Sequence, residues 1–221
     1  MVRILFYGDP HGNWKPLLKA CADDQPDGVV ILGDCDLVRP LSAEVAPLLK
    51  AGIPLYWIAG NHDSDREEWF ANLFQGGVDT NLNGRVVDVG GVRIGGLGGI
   101  FQEAIWHPEL GSESHFRAPA HYVEHLARQN LLDGRERLSE TAIFPDIYDN
   151  LANLSADVLV THDAPSCHRH GFEELDILAE AMGVRLIVHG HHHEAYEAKL
   201  ESGIQVIGVN RAQPKLIEIS R

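Results

Sequence analysis

Basic charge is what this chain has least of. Eighteen Lys and Arg stand against 32 Asp and Glu in 221 residues, a formal charge of −14. Non-specific binding to nucleic acid or to an anionic membrane needs a basic face, so both are disfavoured as partners. Cysteine is scarce too. Cys21, Cys35 and Cys167 are odd in number and far apart, which argues against a disulfide framework. No apolar run approaches the roughly 18–20 residues of a membrane span. The opening Met1–Tyr7 is too short for a secretory leader and lacks a small-residue cleavage site. Repeats, low-complexity runs and linkers are missing as well, so the expectation is one domain over 1–221 in the cytoplasm. With 44% apolar and 23% charged residues, the chain has enough apolar material for a substantial core. Histidine, by contrast, is abundant. Thirteen are present, more than the seven Phe and five Tyr together, and imidazole is both a metal ligand and the proton carrier near neutral pH.

Five short apolar runs read as buried strands: Val2–Phe6, Val29–Leu32, Pro54–Ala59, Val158–Val160 and Leu186–Val188. Helical spacing fills the gaps at Asn13–Ala22, Ser42–Ala51, Ser64–Leu73 and Phe172–Met182. Asn13 and Ser64 are the expected caps, Pro47 a kink or a later start, and Gly183 a C-terminal stop. Such alternation predicts an α/β fold with helices on both faces of the sheet. Arg85–Val89 with Val92–Gly96, and Glu194–Leu200 with Ile204–Val209, flank Gly-Gly and Ser-Gly turns and read as hairpins. With a last strand at Lys215–Ile219, the sheet should be mixed. Residues 101–150 break the rhythm. Ala120–Leu132 and Ser139–Leu151 look helical, and the region is expected as an insertion over the strand ends.

A polar cluster follows each apolar run: Asp9-Pro-His11, Gly33-Asp34, Gly60-Asn-His-Asp63, Thr161-His162 and Gly190-His-His-His193. In open α/β sheets ligands gather beyond the carboxyl ends of the strands, so clusters distant in sequence can meet there. Each contains a group able to bind a cation. Singly they are weak signals; their order and shared setting carry the inference.

Together they resemble the motif set of the calcineurin-like metallophosphoesterase superfamily, every element present in order between residues 9 and 193. The resemblance implies a four-layer α/β/β/α sandwich with mixed sheets. It also implies two divalent metal ions, one held by Asp9, His11, Asp34 and His193, the other by Asp34, Asn61, His162 and His191. Asp34 would bridge. Two-metal sites about 3.5–4 Å across need such a shared carboxylate and enough neutral ligands to stay electrophilic. Mixed imidazole and oxygen donors suit Mn, Fe, Zn, Co or Ni better than Ca, with Mn, Fe or Zn foremost. Hydrolysis of a phosphate mono- or diester by a metal-bridging hydroxide is the implied reaction. His62 is the implied proton donor, and Asp63 stands either to orient it or to stabilise the loop.

Protein Ser/Thr phosphatases carry an Asp three residues after the bridging Asp, followed by Arg. Leu37 and Val38 stand there in this chain, with Asp36 one residue early, which argues against protein phosphatase activity. Asn61, Arg66 and Arg117 are candidate substrate contacts; Arg39 and Arg169 are further cations that could clamp phosphate or make surface ion pairs. Small or exposed phosphate esters are the expected substrates. Protein phosphatase, nucleotide phosphodiesterase and a non-catalytic metal-binding scaffold are the competing functions.

Other features have ordinary readings beside sharper ones. His121–His125 matches His-x-x-Glu-His, a zinc-protease signature, yet no clear third ligand follows and a solvated helix face is expected. Gly95–Gly99 lacks the Lys-Ser/Thr ending of a phosphate loop. With His115–Pro119 it has a local likeness to lariat debranching enzymes of the same superfamily. Cys35 and Cys167 each read as a space-filler, or as a redox switch if the thiol is exposed with a low pKa. His107, His115, His168 and His170 could border a substrate mouth, with His189 and His192 flanking the last motif.

Overall fold

A computed structural model of the chain describes residues 1–111 and 114–221. In chain order the elements are β1 (Val2–Gly8), α1 (Lys15–Asp24), β2 (Gly28–Ile31), α2 (Leu41–Glu44), α3 (Ala46–Ala51), β3 (Leu55–Trp57) and α4 (Glu67–Phe74). A hairpin of β4 (Arg85–Val89) and β5 (Val92–Leu97) leads into α5 (Pro119–Arg128), α6 (Leu138–Thr141) and α7 (Pro145–Ala152). The remainder is β6 (Val158–Thr161), α8 (Glu173–Met182), β7 (Leu186–His189), β8 (Tyr196–Lys199), β9 (Gln205–Gly208) and β10 (Gln213–Ile219).

The strands divide into two sheets, ordered β10-β1-β2-β3 and β4-β5-β6-β7-β9-β8. Both are mixed: β1, β2 and β3 run parallel with β10 antiparallel, while β5, β6, β7 and β9 run parallel with β4 and β8 antiparallel at the edges. Burial on both faces of the strand explains why β1 is apolar from Ile4 to Tyr7. Ile4 and Phe6 face the second sheet, whereas Leu5 and Tyr7 face helices. Val30 and Val29 divide likewise on β2, Val160 and Leu159 on β6, Val188 and Ile187 on β7. The result is an α/β/β/α sandwich rather than one sheet covered on both faces. Truncating a side chain in the central layer, as in Ile4→Ala, is worth about 2–5 kcal/mol.

Local signals explain the boundaries. Pro47 sits in the first turn of α3, and the expected helix over 42–51 breaks at Val45. Gly183 ends α8 in the left-handed region (φ 69°). The expected caps do not form. Trp14 and Arg66 occupy the N-cap positions of α1 and α4, and neither side chain bonds its helix. Ser139–Leu151 is two helices, because Ala142 is extended and Pro145 starts α7 afresh.

The described residues of 101–150 wrap a small apolar cluster of their own, Ile105, Tyr122, Leu126, Ala142 and Phe144. Trp106 and Ile147 belong to this cluster and to the core beneath α8 as well. Backbone bonds from Ile100 N–H to Thr141 and from Ile143 N–H to Ile100 seat the segment beyond the end of β5.

Candidate metal centre

The loops beyond β1, β2, β3, β6 and β7 bring the expected residues to one place. Asp34, after β2, sits between two donor groups. His11, Asp34 and His193 offer ligand atoms within 4.8 Å of one another, and so do Asp34, His162 and His191. Asp34 Oδ2 lies 3.8 Å from His11 Nε2, and Oδ1 lies 3.4 Å from His162 Nε2. Asn61 Oδ1 is 3.1 Å from the same His162 nitrogen. Asp9 closes the floor. Its Oδ1 accepts the His191 backbone N–H at 3.1 Å, and its buried Oδ2, 3.9 Å from His193 Nε2, has no hydrogen-bond partner among the described residues. Asp9, Asp34 and His162 are buried, while His62 and His193 rim the bowl at 47% and 37% exposure.

Outer contacts fix which imidazole nitrogens face inward. His162 Nδ1 donates to the Leu32 carbonyl at 2.7 Å, leaving Nε2 toward Asn61 and Asp34. His11 Nδ1 donates to Asp36 at 2.8 Å, leaving Nε2 3.1 Å from His193 Nε2. Carboxylate or carbonyl partners of this kind orient metal-binding histidines and raise their basicity. The backbone is bent to suit. Of nine non-glycine residues with positive φ among the described residues, six are Asp9, His11, Asp34, Asp36, His191 and His193. Left-handed backbone costs about 1–3 kcal/mol per residue and concentrates where function holds it. Gly33 lets the loops close up: a Cβ there would lie 2.5 Å from Gly60 N and 2.7 Å from His162 Nδ1.

Electrostatics make the floor a seat for positive charge. Burial pushes Asp9 up to about 6, with His162 pulling the other way. Burial would strip the His162 proton, but the Asp34 and Asp9 carboxylates outweigh it and push that imidazole up to about 10. Desolvation holds His191 down at about 3. Buried carboxylates beside inward-turned imidazole nitrogens fit divalent cations, which supply the charge the floor demands.

Other expected residues fall elsewhere. Asp63 is fully buried, and its oxygens accept the N–H groups of Asp34 (3.0 Å), Cys35 (2.8 Å) and Gly60 (2.8 Å). Asp63 therefore ties two ligand loops together, and His62 takes Asp65 instead, at 2.7 Å. Arg117 is bound to Asp146 and Asp149 beside a cavity of about 450 Å³ that none of the cluster residues lines. Arg39 and Arg169 pair with Glu44 and Glu194. Arg66 lies over Trp69, 4.5 Å from the ring. His121 and His125 are exposed on α5. His168 stacks on His192 at 4.0 Å, and His189 bonds the Tyr196 hydroxyl at 2.7 Å, behind the cluster. Cys35 is buried, and desolvation pushes its thiol up; Cys167 is exposed, its thiol raised by partial burial.

Asp65 and Arg211 were not expected at the site, and Asp36 was noted only as an acid one residue early, without its task. Asp65 was visible only as an extra acid in His-Asp-Ser-Asp. Arg211 follows β9 on a loop whose Ala212 N–H donates to Gly8 O at 2.8 Å, against the Asp9 loop. After burial and His11, its charge is what depresses His193.

A mixed sandwich with Asp, Asn and His donors gathered at its strand ends defines the metallophosphoesterase-like class of fold. The family model described as calcineurin-like phosphoesterase matches residues 2–195. The chain belongs to that family. An uncharacterized protein of Haemophilus influenzae is 36% identical over 208 residues, covering 93% of this chain and 90% of its own. The crystal structure of TT1561 from Thermus thermophilus matches with a TM-score of 0.58 at 15% identity, over 96% of this chain and 90% of that one. A dimetal phosphatase from Danio rerio matches at 0.55 and 14%, over 96% and 88%. Among the described residues, no helix is long and apolar enough to cross a membrane.

Proposed function

We propose that the protein is a dinuclear metal-dependent phosphoesterase acting on small or exposed phosphate esters. The observation that carries this reading is Asp34, whose two carboxylate oxygens face two separate imidazole groups. Asp9, His11, Asp34 and His193 would hold one cation, and Asp34, Asn61, His162 and His191 the other, with Mn, Fe or Zn the best matches to the donors. When bound, the ions supply an activated water at neutral pH and shield the phosphoryl oxygens.

The chain's own residues do the rest. Two carboxylates against two divalent ions leave the bowl positive on an acidic surface, which draws a phosphate anion. Asn61, and Arg211 whose charge reaches His193, are the candidates to meet phosphoryl oxygens. His62, half exposed, gives the leaving oxygen a proton through Nε2. Its backbone N–H, donated to Asp34 Oδ1 at 2.9 Å, keeps the rim and the shared carboxylate in register. The acidic surface disfavours long nucleic acids, and the three free cysteines fit a reducing compartment such as the cytoplasm.

The test pairs metal analysis with a panel of esters: a monoester, an aryl diester, a cyclic nucleotide and a 2′,5′-linked dinucleotide. Turnover in Mn²⁺ is expected for at least one. His62→Ala should keep its metals while kcat falls by about 10²–10⁴. Metal-loaded protein inert toward all four would leave the scaffold reading standing instead.

A further inference from the structure

We propose that Asp65 is the positioning residue of His62, and that the pair suits the site to phosphate esters of aliphatic alcohols. The proposal rests on the phosphoesterase reading above and goes on to the kind of leaving group.

Local geometry puts the two together. His62–Ser64 is a single 3-10 turn, and Asp65 caps it, its N–H donating to His62 O at 3.1 Å. Three residues per turn bring side chains i and i+3 into line, so the carboxylate stands over the ring. Asp65 Oδ2 lies 2.7 Å from His62 Nδ1. An ionised carboxylate only accepts, so Nδ1 donates and the other nitrogen is left to act. Among the described residues, His62 Nε2 has no hydrogen-bond partner, and the ring stands edge-on to that of His11 at 5.6 Å. No acid following Asp34 serves His62. Asp36 is committed to His11, and Leu37 is buried among the helices over the first sheet.

The turn is also held from outside. Ser64 Oγ donates to Asn61 O at 3.2 Å and accepts from Thr141 Oγ1 at 2.8 Å, and Arg137 Nε donates to Ser64 O at 3.1 Å. A ring fixed at this precision matters most when the proton it delivers decides the rate.

In the step itself, a water oxygen bonds to phosphorus as the bond from phosphorus to the ester oxygen breaks. The departing oxygen takes the proton from His62 Nε2 and leaves as the alcohol. The proton lost by the attacking water returns to the imidazole through solvent, so neither charge nor mass is unaccounted for. Aryl oxides leave readily without a proton; alkoxides do not. A carboxylate-held donor is therefore of most use to an alkyl ester.

The experiment compares Mn²⁺-loaded wild type, Asp65→Asn and Asp65→Glu on 4-nitrophenyl phosphate and glycerol 2-phosphate, with metal content and thermal midpoint measured on each. Asp65 is half exposed, so all three should fold. Asp65→Asn should keep its metals, and its kcat on the alkyl ester should fall at least about tenfold further than on the aryl ester. Asp65→Glu should recover part of that gap. Equal losses on both esters, an unchanged alkyl rate, or loss of metal with Asp65→Asn would overturn the pairing. A wild type inert on both monoesters would overturn the alkyl-ester assignment, whereas turnover of a diester from the panel above would leave the phosphoesterase reading standing.

Discussion

Thr141 donates its hydroxyl to Ser64 Oγ across 2.8 Å, joining the 101–150 segment to the turn that carries His62. Thr141 is fully buried, so the bond has little competition from water. Thr141→Val replaces the donor with a methyl of similar size and leaves the Ser64 hydroxyl one partner, Asn61 O. The expected cost is about 1–2 kcal/mol in urea unfolding. Because the loosened turn carries the proton donor, kcat should drop several-fold with KM little changed. Steady-state kinetics beside an unfolding curve check both.

Asp34 is shared between two donor groups, while His11 serves one. Asp34→Asn should therefore empty both seats, whereas His11→Ala should halve the metal content. Elemental analysis after dialysis reads the difference directly. Chelation of the wild type should also lower its thermal midpoint, since ligands that bind only the native state stabilise it by mass action. A chelated protein with an unchanged midpoint would show that Asp9 and Asp34 are not cation ligands.

Asp63 accepts three backbone N–H groups from two loops while itself out of contact with solvent. Asp63→Ala strands all three donors and should cost about 3 kcal/mol or more, each orphaned donor being worth about 1–3. Asp63→Asn should also destabilise, because its amide group would point a donor at a donor. Urea midpoints, read beside the activity of the fraction still folded, separate a brace from a reacting group. A variant of normal stability and no turnover would return Asp63 to the reaction.

The central strands were legible because they are buried on both faces and read as apolar runs, as in Ile4–Tyr7 and Val158–Val160. The same property concealed the number of sheets from periodicity, and the two-sheet sandwich was implied only by the resemblance of the motifs. Which of Leu5 and Phe6 meets a helix and which a second sheet depends on partners distant in sequence. The motif residues Asp9, His11, Asp34, Asn61, His62, His162, His191 and His193 were visible because strand ends converge. Asp36, Asp63 and Asp65 are the same residue type a few positions apart. Their separate tasks, orienting His11, tying loops and holding His62, follow from left-handed backbone at Asp36 and a 3-10 turn after Asn61. Neither has a periodicity that a sequence displays.

At the opposite end of the second sheet, Asp157 joins three strands and gives a pH test independent of metals. Its Oδ2 accepts Arg93 N–H at 2.9 Å, its own N–H donates to Arg93 O at 2.8 Å, and its carbonyl accepts from Arg185 N at 3.0 Å. The Arg93 and Arg185 guanidinium groups add charge at 3.3 and 3.7 Å. Partial burial works against ionisation, but the bonds from Arg93 and both positive charges prevail and hold the carboxyl below its ordinary value. A carboxyl depressed in the folded state binds its proton less tightly than in the unfolded chain. Its contribution to stability is therefore present above the unfolded value, about 3.9, and is lost as pH falls through the lower folded one. Asp157→Asn should thus cost about 1 kcal/mol at pH 7, a modest figure because Arg93 is half exposed and screened. The gap from wild type should narrow below about pH 4. Metal content and turnover should not change. Urea unfolding of both proteins from pH 7 down to pH 3 measures this, and a gap constant across that range would show that the carboxylate charge contributes nothing.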